Sequence, residues 1–203
     1  MAVVVENVPD GARFVDSVDG WGIANHATAI VAAGYHGAFF YLEQLTPGML
    51  SLALKGGLGC CFYSYADDFD PVRALRELRI CDVPANPGPT IADDLESYHA
   101  GADQCARELR ASAAGRIAAG YEDPGLYVGA GQPLGPVALG ALPHTRYIAS
   151  PSIIPMPVYS GIDRGWVLRQ ELPFNQRVAG VQVDVSRATV DPLGRSLRWM
   201  IER

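Results

Sequence analysis

Lysine is almost missing from this 203-residue chain. Lys55 is the only one among 16 basic residues, which face 22 acids for a formal net charge of −6. Neutralising nucleic-acid phosphates takes a basic face, and no Lys/Arg cluster stands in the sequence, so no nucleic-acid partner is expected. Also missing is any apolar run approaching the roughly 20 residues that cross a bilayer, so no membrane partner is expected. The opening MAVVVENVPDGARF has no basic region ahead of its short apolar stretch, which predicts synthesis in the cytoplasm without a recognisable signal peptide. Cysteine is scarce and unpatterned: Cys60, Cys61, Cys81 and Cys105 show no CxxC spacing, and His26, His36, His99 and His144 share no helical or strand spacing. No metal site is predicted. Cys60 and Cys61 fall in an apolar strand, point to opposite faces and read as small buried hydrophobes, with a Cys81–Cys105 bridge as the alternative to free thiols.

What is present is core and alternation. Apolar residues make up 49% of the chain, enough for one domain with a sizeable core. RFVDSVD (13–19) reads as a strand and GIANHATAIVAAGY as a helix with Ile23, Ala27, Ile30 and Val31 at helical spacing. GAFFYL (37–42) is a second strand, followed by TPGMLSLALKGG with Thr46 as N-cap and Pro47 at the first helical position. LGCCFYSY (58–65) is a third, and DPVRALRELRI is a helix with Val72, Leu75 and Leu78 on one face. TIADDLES supplies a fourth strand, a long helix spans about His99 to Ala119, and GLYVGAG (125–131) is a fifth strand. TRYIAS (145–150), GWVLRQEL (165–172) and GVQVDVS (180–186) read as strands six to eight, joined by Pro- and Gly-rich segments of little helical character.

Strands alternating with helices imply parallel pairing, and eight of them fit a closed sheet. The expected fold is α/β, a small (β/α)8 TIM-like barrel with degenerate helices in its C-terminal half. Residues 1–12 form an N-terminal extension, 13–190 the barrel, and 191–203 a closing helix. The alternative is an open doubly wound sheet, but the segment after the first strand, VDGWGIAN, lacks the GxGxxG phosphate loop.

Acids concentrate in IADDLES. Side chains alternate along a strand, so Asp94 and Glu96 share one face while Asp93 and Leu95 share the other. Both members of the pair stand at the carboxyl end of their strand, where parallel barrels carry their working groups. Asp16, with Asp19 close behind, ends the first strand and Asp184 lies in the eighth. First and last strands are neighbours in a closed barrel, so four carboxyls are expected in one cleft. Like charges so crowded raise the pKa of at least one member and make an acid able to protonate a leaving group, the chemistry of a glycosidase. Taken singly, each acid also has a structural explanation: Asp16 or Asp19 as a helix cap, Asp184 in a turn with Ser186, DDLE as a solvated helix start.

The order FVDS, GCCFYSYADDFDPVRAL, DLE, LYVG, YIAS and VQVDVS, over residues 13 to about 190, resembles the glycoside hydrolase family 25 lysozymes. It is equally similar to their relatives, the glycoside-hydrolase-like domains of unknown function of actinobacteria and their phages. The most specific part is the Asp-x-Glu of Asp94 and Glu96, in a strand followed by an aromatic and a long helix. The resemblance implies a barrel that hydrolyses the β-1,4 bond between N-acetylmuramic acid and N-acetylglucosamine in peptidoglycan, with no metal or other cofactor. It implies Glu96 as proton donor, with Asp94 steadying the acetamido group or the positive charge developing on the sugar. Asp16 and Asp184 would position water or tune the pair. Tyr63, Tyr65, Tyr127, Tyr147 and Trp166 would be platforms for sugar rings, joined by Gln170 of WVLRQEL. The chain departs from the pattern in placing Trp21 five residues after Asp16 rather than four, and in Tyr147 where the family commonly has Trp. A second function fits the same fold: a barrel without efficient catalysis, serving as a structural or glycan-binding module with protein partners in a phage particle or cell envelope.

Overall fold

The computed structural model describes residues 2–65, 71–97, 101–150 and 166–203, with backbone only at Tyr65, Pro71, Ser97, Ala130 and Gly131. In chain order the elements are β1 (Val3–Asn7), β2 (Arg13–Asp16), α1 (Gly20–Asn25), α2 (Ala27–Ala32), β3 (Gly37–Tyr41), a 3-10 turn (Leu42–Gln44) and α3 (Pro47–Lys55). They continue with β4 (Gly59–Tyr65), α4 (Pro71–Ile80), β5 (Ile91–Ser97), α5 (Ala102–Ala118) and β6 (Gly125–Gly131). The last are α6 (Pro136–Gly140), β7 (Arg146–Ala149), β8 (Trp166–Val178), β9 (Val181–Ala188) and β10 (Arg198–Glu202).

Strands β2 to β9 close on themselves. β2 through β8 pair in sequence order and in parallel, and β9 bridges β8 to β2. All-parallel pairing, the expectation from alternation, fails at this last strand: β9 runs antiparallel to both neighbours. The reason is local. No helix separates β8 from β9, only Ala179 and Gly180, both at positive φ (49° and 89°). Two residues of that kind make a tight hairpin, and a hairpin must reverse direction.

The period of two along each strand sorts side chains into three apolar masses. Phe14, Phe39, Cys61, Ala92, Ile148 and Leu168 fill the inside of the barrel. Phe39 stacks on Tyr63 at 4.3 Å between ring centroids. Outward-facing Val15, Ala38, Phe40, Cys60, Phe62 and Ile91 pack beneath α1 to α4, and Leu95, Leu126, Val128, Tyr147 and Ala149 beneath α5 and α6. Cys60 and Cys61 thus lie on opposite sides of the barrel wall, and all four cysteines are buried and free, without a Cys81–Cys105 bridge.

Several elements depart from expectation. The single helix expected after β2 is two, broken at His26. On α4 the buried face is Ala74 and Leu78 with Leu75 beside them, while Val72 is 74% exposed. The tail, 191–203, forms β10 rather than a closing helix. Its residues alternate between two cores, Trp199 and Ile201 toward the barrel interior and Met200 toward the helical layer, and Gly194, at φ 76°, breaks the helix that Asp191 and Pro192 would otherwise open. β10 pairs with β1 along the whole of the latter and with β4 at Met200↔Cys60. Trp199, 5.7 Å from Phe14 between rings, plugs the floor of the barrel. Gly59 is required there, because a Cβ on it would stand 2.3 Å from the indole.

Candidate active site

The open end of the barrel lies where β2 to β6 finish. Following the inward-facing series one step above Phe14, Phe39, Cys61 and Ala92 leads to Asp16, Tyr41, Tyr63 and Asp94, and one step further on β5 to Glu96. β9 contributes from the opposite direction: Asp184 is the register partner of Asp16. These side chains, with Tyr127 and Gln170, surround a pocket of about 430 Å³. All four acids expected in one cleft, Asp16, Asp94, Glu96 and Asp184, line it.

Position within the pocket separates the acids. Asp16 and Asp94 are buried, 9% and 6% exposed, whereas Glu96 is exposed at the mouth. Tyr41 donates its hydroxyl hydrogen to Asp94 Oδ2 at 2.9 Å. Asp94 Oδ1, Asp16 Oδ2 and the hydroxyl of Tyr63 are buried without a hydrogen-bond partner among the described residues. Buried polar atoms are normally paired, so three unpaired ones around a single pocket mark a place prepared for a polar ligand. Burial raises the pKa of Asp94 to about 7, with Glu96 adding to the rise, Tyr41 opposing it, and Glu43 and Asp93 contributing smaller increases. Burial likewise holds Asp16 well above the usual carboxylate range, reinforced by Asp184, Asp94 and Glu96. A pocket whose deep carboxyls keep their protons near neutrality can donate and accept hydrogen bonds at once.

Asp93, the third acid of IADDLES, faces the other way, as alternation requires. It is fully buried against α5 and pairs with Arg116, accepts from Ser112 at 3.0 Å, and lies 2.8 Å from His144 Nε2. Burial alone would push its pKa up. Arg116, His144 and Ser112 outweigh that and hold it below the usual value. The crowding that singles out this stretch is therefore resolved by dividing the acids between two sides of the wall.

The remaining candidates divide. Asp19 lines the pocket but is committed to α1 as its N-cap, its Oδ1 accepting from Gly22 N at 2.8 Å, so Asp16 is the first-strand acid of the cluster. Tyr63 and Tyr127 line the pocket, and Tyr127 donates to Gln170 Oε1 at 2.8 Å. Tyr147 does not reach it: the ring is buried outside the barrel and its hydroxyl donates to Leu139 O at 2.7 Å. Trp166 packs edge-on to Tyr147 at 6.2 Å and lines a separate groove with Arg169 and Leu172. Tyr147 sits on the outer face because the alternation that points Ile148 inward points it out; Trp166, which an unbroken alternation would place with Leu168 and Gln170, joins it through the irregularity that pairs Tyr147 with Trp166 but Ile148 with Leu168. The side chain of Tyr65 and the Pro-rich segment 151–161 lie outside the described residues. Tyr41, Asn175 and Gln182 are pocket residues absent from the sequence-based set. Tyr41 was legible from the same period of two that found Asp94. Asn175 was not, because it depends on an irregularity in β8.

That rim has one further irregular feature. Leu95 pairs with Val128 and Ser97 with Gly131, so two residues of β6 oppose Glu96 alone. Such a bulge turns a strand and re-aims side chains beside it. It depends on Gly129, since a Cβ there would lie 2.8 Å from Glu96 Cα. Among the described residues no group of three or more His, Cys, Asp or Glu is arranged to hold a metal ion.

No protein-family model matches the chain, and no curated relative matches it. Solved structures do match in fold. The novel virulence factor GHIP, a glycosyl hydrolase 25 of Streptococcus pneumoniae participating in host cell invasion, aligns with a TM-score of 0.55 at 13% identity, over 90% of this chain and 88% of that one. The CTP1L endolysin, whose activity is regulated by a secondary translation product, aligns with a TM-score of 0.58 at 15% identity, over 88% of this chain and 66% of that one. At such identities the likeness is one of fold alone, an α/β barrel.

Proposed function

We propose that this protein is a glycosidase of the lysozyme type, cleaving β-1,4 bonds of peptidoglycan by carboxylate acid/base chemistry. One observation carries the proposal: Asp16, the Asp94–Glu96 pair and Asp184, from three strands far apart in sequence, meet in one pocket at the open end of the barrel. Glycosidic cleavage asks for an acid that protonates the departing oxygen and for negative charge or hydrogen bonding at the sugar carbon from which it departs. Glu96, at the mouth, gives its proton to the glycosidic oxygen as the C–O bond breaks. Asp94, held by Tyr41, steadies the acetamido group or the oxocarbenium-like ring, and water then adds to that carbon and returns a proton to the carboxylate. Asp16 hydrogen-bonds the incoming water or the ring hydroxyls from the floor. Tyr63 and Tyr127 line the pocket, but at 2% and 4% exposure their rings offer no open face for stacking, and they bring hydroxyl groups rather than platforms.

The fold likeness to a glycosyl hydrolase 25 and to an endolysin supports this proposal. Placement on a phage particle or at a cell envelope belongs with it, because the substrate lies outside the membrane. The test is release of reducing ends from purified cell walls. Glu96→Gln is expected to lower it by roughly 10²–10⁴-fold, the usual contribution of a positioned general acid. The melting temperature should hardly move, because Glu96 is exposed. A wild-type protein that releases no reducing ends from acid to mildly alkaline pH would leave a non-catalytic glycan-binding barrel instead.

A further inference from the structure

β8 is built irregularly at one point, directly opposite Asp184. Glu171 pairs with Val185 and Gln176 with Val183, so Leu172, Pro173, Phe174 and Asn175 stand against that single residue of β9. An ordinary bulge adds one residue; this one adds several, and the structure holds them firmly. The Asn175 N–H donates to Asp184 Oδ1 at 2.6 Å, Gln182 Nε2 donates to Asn175 Oδ1 at 3.0 Å, and Gln176 Nε2 donates to Pro173 O at 3.1 Å. Asn175 takes φ 56°, a conformation Asn tolerates better than most residues.

A fold that invests three hydrogen bonds in a protrusion would ordinarily leave it polar. Here it presents Leu172 and Phe174, 67% and 43% exposed. The protrusion joins the acid pocket at Asn175, which lines it beside Asp184, while Leu172 borders the adjoining groove, and Gln170 lines both. That pocket, about 430 Å³, lies toward the small end of ligand sites, and a polymer reaching Glu96 must leave it over the rim. The carbon face of a pyranose is apolar, and Leu and Phe are the surfaces against which such a face is desolvated.

We infer that Leu172–Asn175 is a preformed wall that receives the glycan beyond the pocket, Leu172 and Phe174 lying against the carbon face of a sugar ring, and that Asp184 is a positioning residue whose carboxylate anchors this wall. The inference rests on the glycosidase proposal and adds to it the element that selects long chains over short ones. Asp184 spends one oxygen on the Asn175 N–H, so its contribution to turnover passes through the placement of the wall.

The experiment is calorimetric binding of β-1,4-linked N-acetylglucosamine oligomers, a disaccharide and a hexasaccharide, to the Glu96→Gln protein, which leaves them uncleaved. The hexasaccharide is expected to bind about tenfold tighter than the disaccharide, equivalent to about 1.4 kcal/mol. Adding Leu172→Ser and Phe174→Ser is expected to erase that gain while disaccharide affinity stays. Asp184→Ala is expected to erase it too, and Asp184→Asn, which keeps an oxygen acceptor for the Asn175 N–H, to restore it. Survival of the gain in the double serine variant overturns the wall alone. Equal loss in Asp184→Ala and Asp184→Asn overturns the anchoring. Failure of the protein to bind either oligomer removes the glycosidase proposal along with both.

Discussion

Asp93 and Asp94 are adjacent in the chain and both buried, yet their surroundings act on them in opposite senses. Asp93 meets Arg116, Ser112 and His144 and stays ionised. For Asp94 burial is the largest influence, Glu96 adds to it, the Tyr41 hydroxyl offsets only part, and its pKa rises to about 7. The rise has a consequence for stability. A folded-state pKa above the unfolded one means that the folded protein binds the proton more tightly, so the contribution of Asp94 is whole below about pH 4 and is lost as pH climbs through about 7. Asp94→Asn removes that loss. Its melting temperature relative to the parent is expected to climb between acid and mildly alkaline pH by about 3 °C or more, the response of a chain this long to about 1 kcal/mol. Thermal scans of the two proteins across that range check it, and a difference that is flat with pH would contradict the protonated state of the buried acid. A period-two reading of IADDLES found which acids share a face, because alternation is a property of the backbone. The partners of Asp93 were not legible, since Arg116 and His144 reach it through tertiary packing that no local pattern encodes.

At the scale of elements, α5 is tied to β5 by more than apolar contact. Arg116 is 1% exposed, pairs with Asp93, and donates to Ile91 O at 3.1 Å. It thereby fixes the strand that carries Asp94 and Glu96 against the helix behind it. Arg116→Met is expected to cost about 3–5 kcal/mol, because the Asp93 carboxylate is left buried without its cation. Adding Asp93→Asn should recover a large part of this, and denaturant melts of the two variants measure both values. Similar logic explains which elements could be read from sequence. Thr46 caps α3 by accepting from Met49 N at 3.2 Å, with Pro47 following it, as expected from residue types alone, because capping is local. The tail misled because Leu197, Met200 and Ile201 also fit a helical spacing. Only the presence of β1 and β4 beside it makes a strand the form that satisfies its backbone. The extension of β8 to Val178 was hidden for a related reason: Pro173 and Asn175 read as a strand end, whereas they occupy a bulge in a continuing hairpin.

For the whole molecule, closure determines how firmly each part is held. Strands β3 and β4 sit in the middle of the closed sheet with apolar packing on both faces, Phe39 and Cys61 inside, Phe40 and Phe62 outside. β1 pairs on one side only. Amide hydrogen exchange is therefore expected to be slowest by far in β3 and β4 and fast along β1, since free energies of local opening range from near zero at edges to the full unfolding value in a core. Fast exchange in β3 and β4 would contradict a closed barrel. The overall barrel and the meeting of first and last strands were legible because strand count and alternation suffice for them. The reversed direction of β9 was not, although Asp184 still arrives beside Asp16, since antiparallel register serves as well as parallel to bring two residues level. That reversal separates two kinds of change. Residues at the carboxyl ends of β2 and β5 cannot shift without disturbing helices that follow directly behind them. In the β8–β9 arm, by contrast, the tip is packed into the outer core through Val178 and Val181, but the bulge Leu172–Asn175 exposes Leu172 and Phe174, so changing that bulge would redraw the border of the cleft while Asp16, Asp94 and Glu96 stay put. A designer wishing to alter which polymers this barrel accepts would begin with that arm.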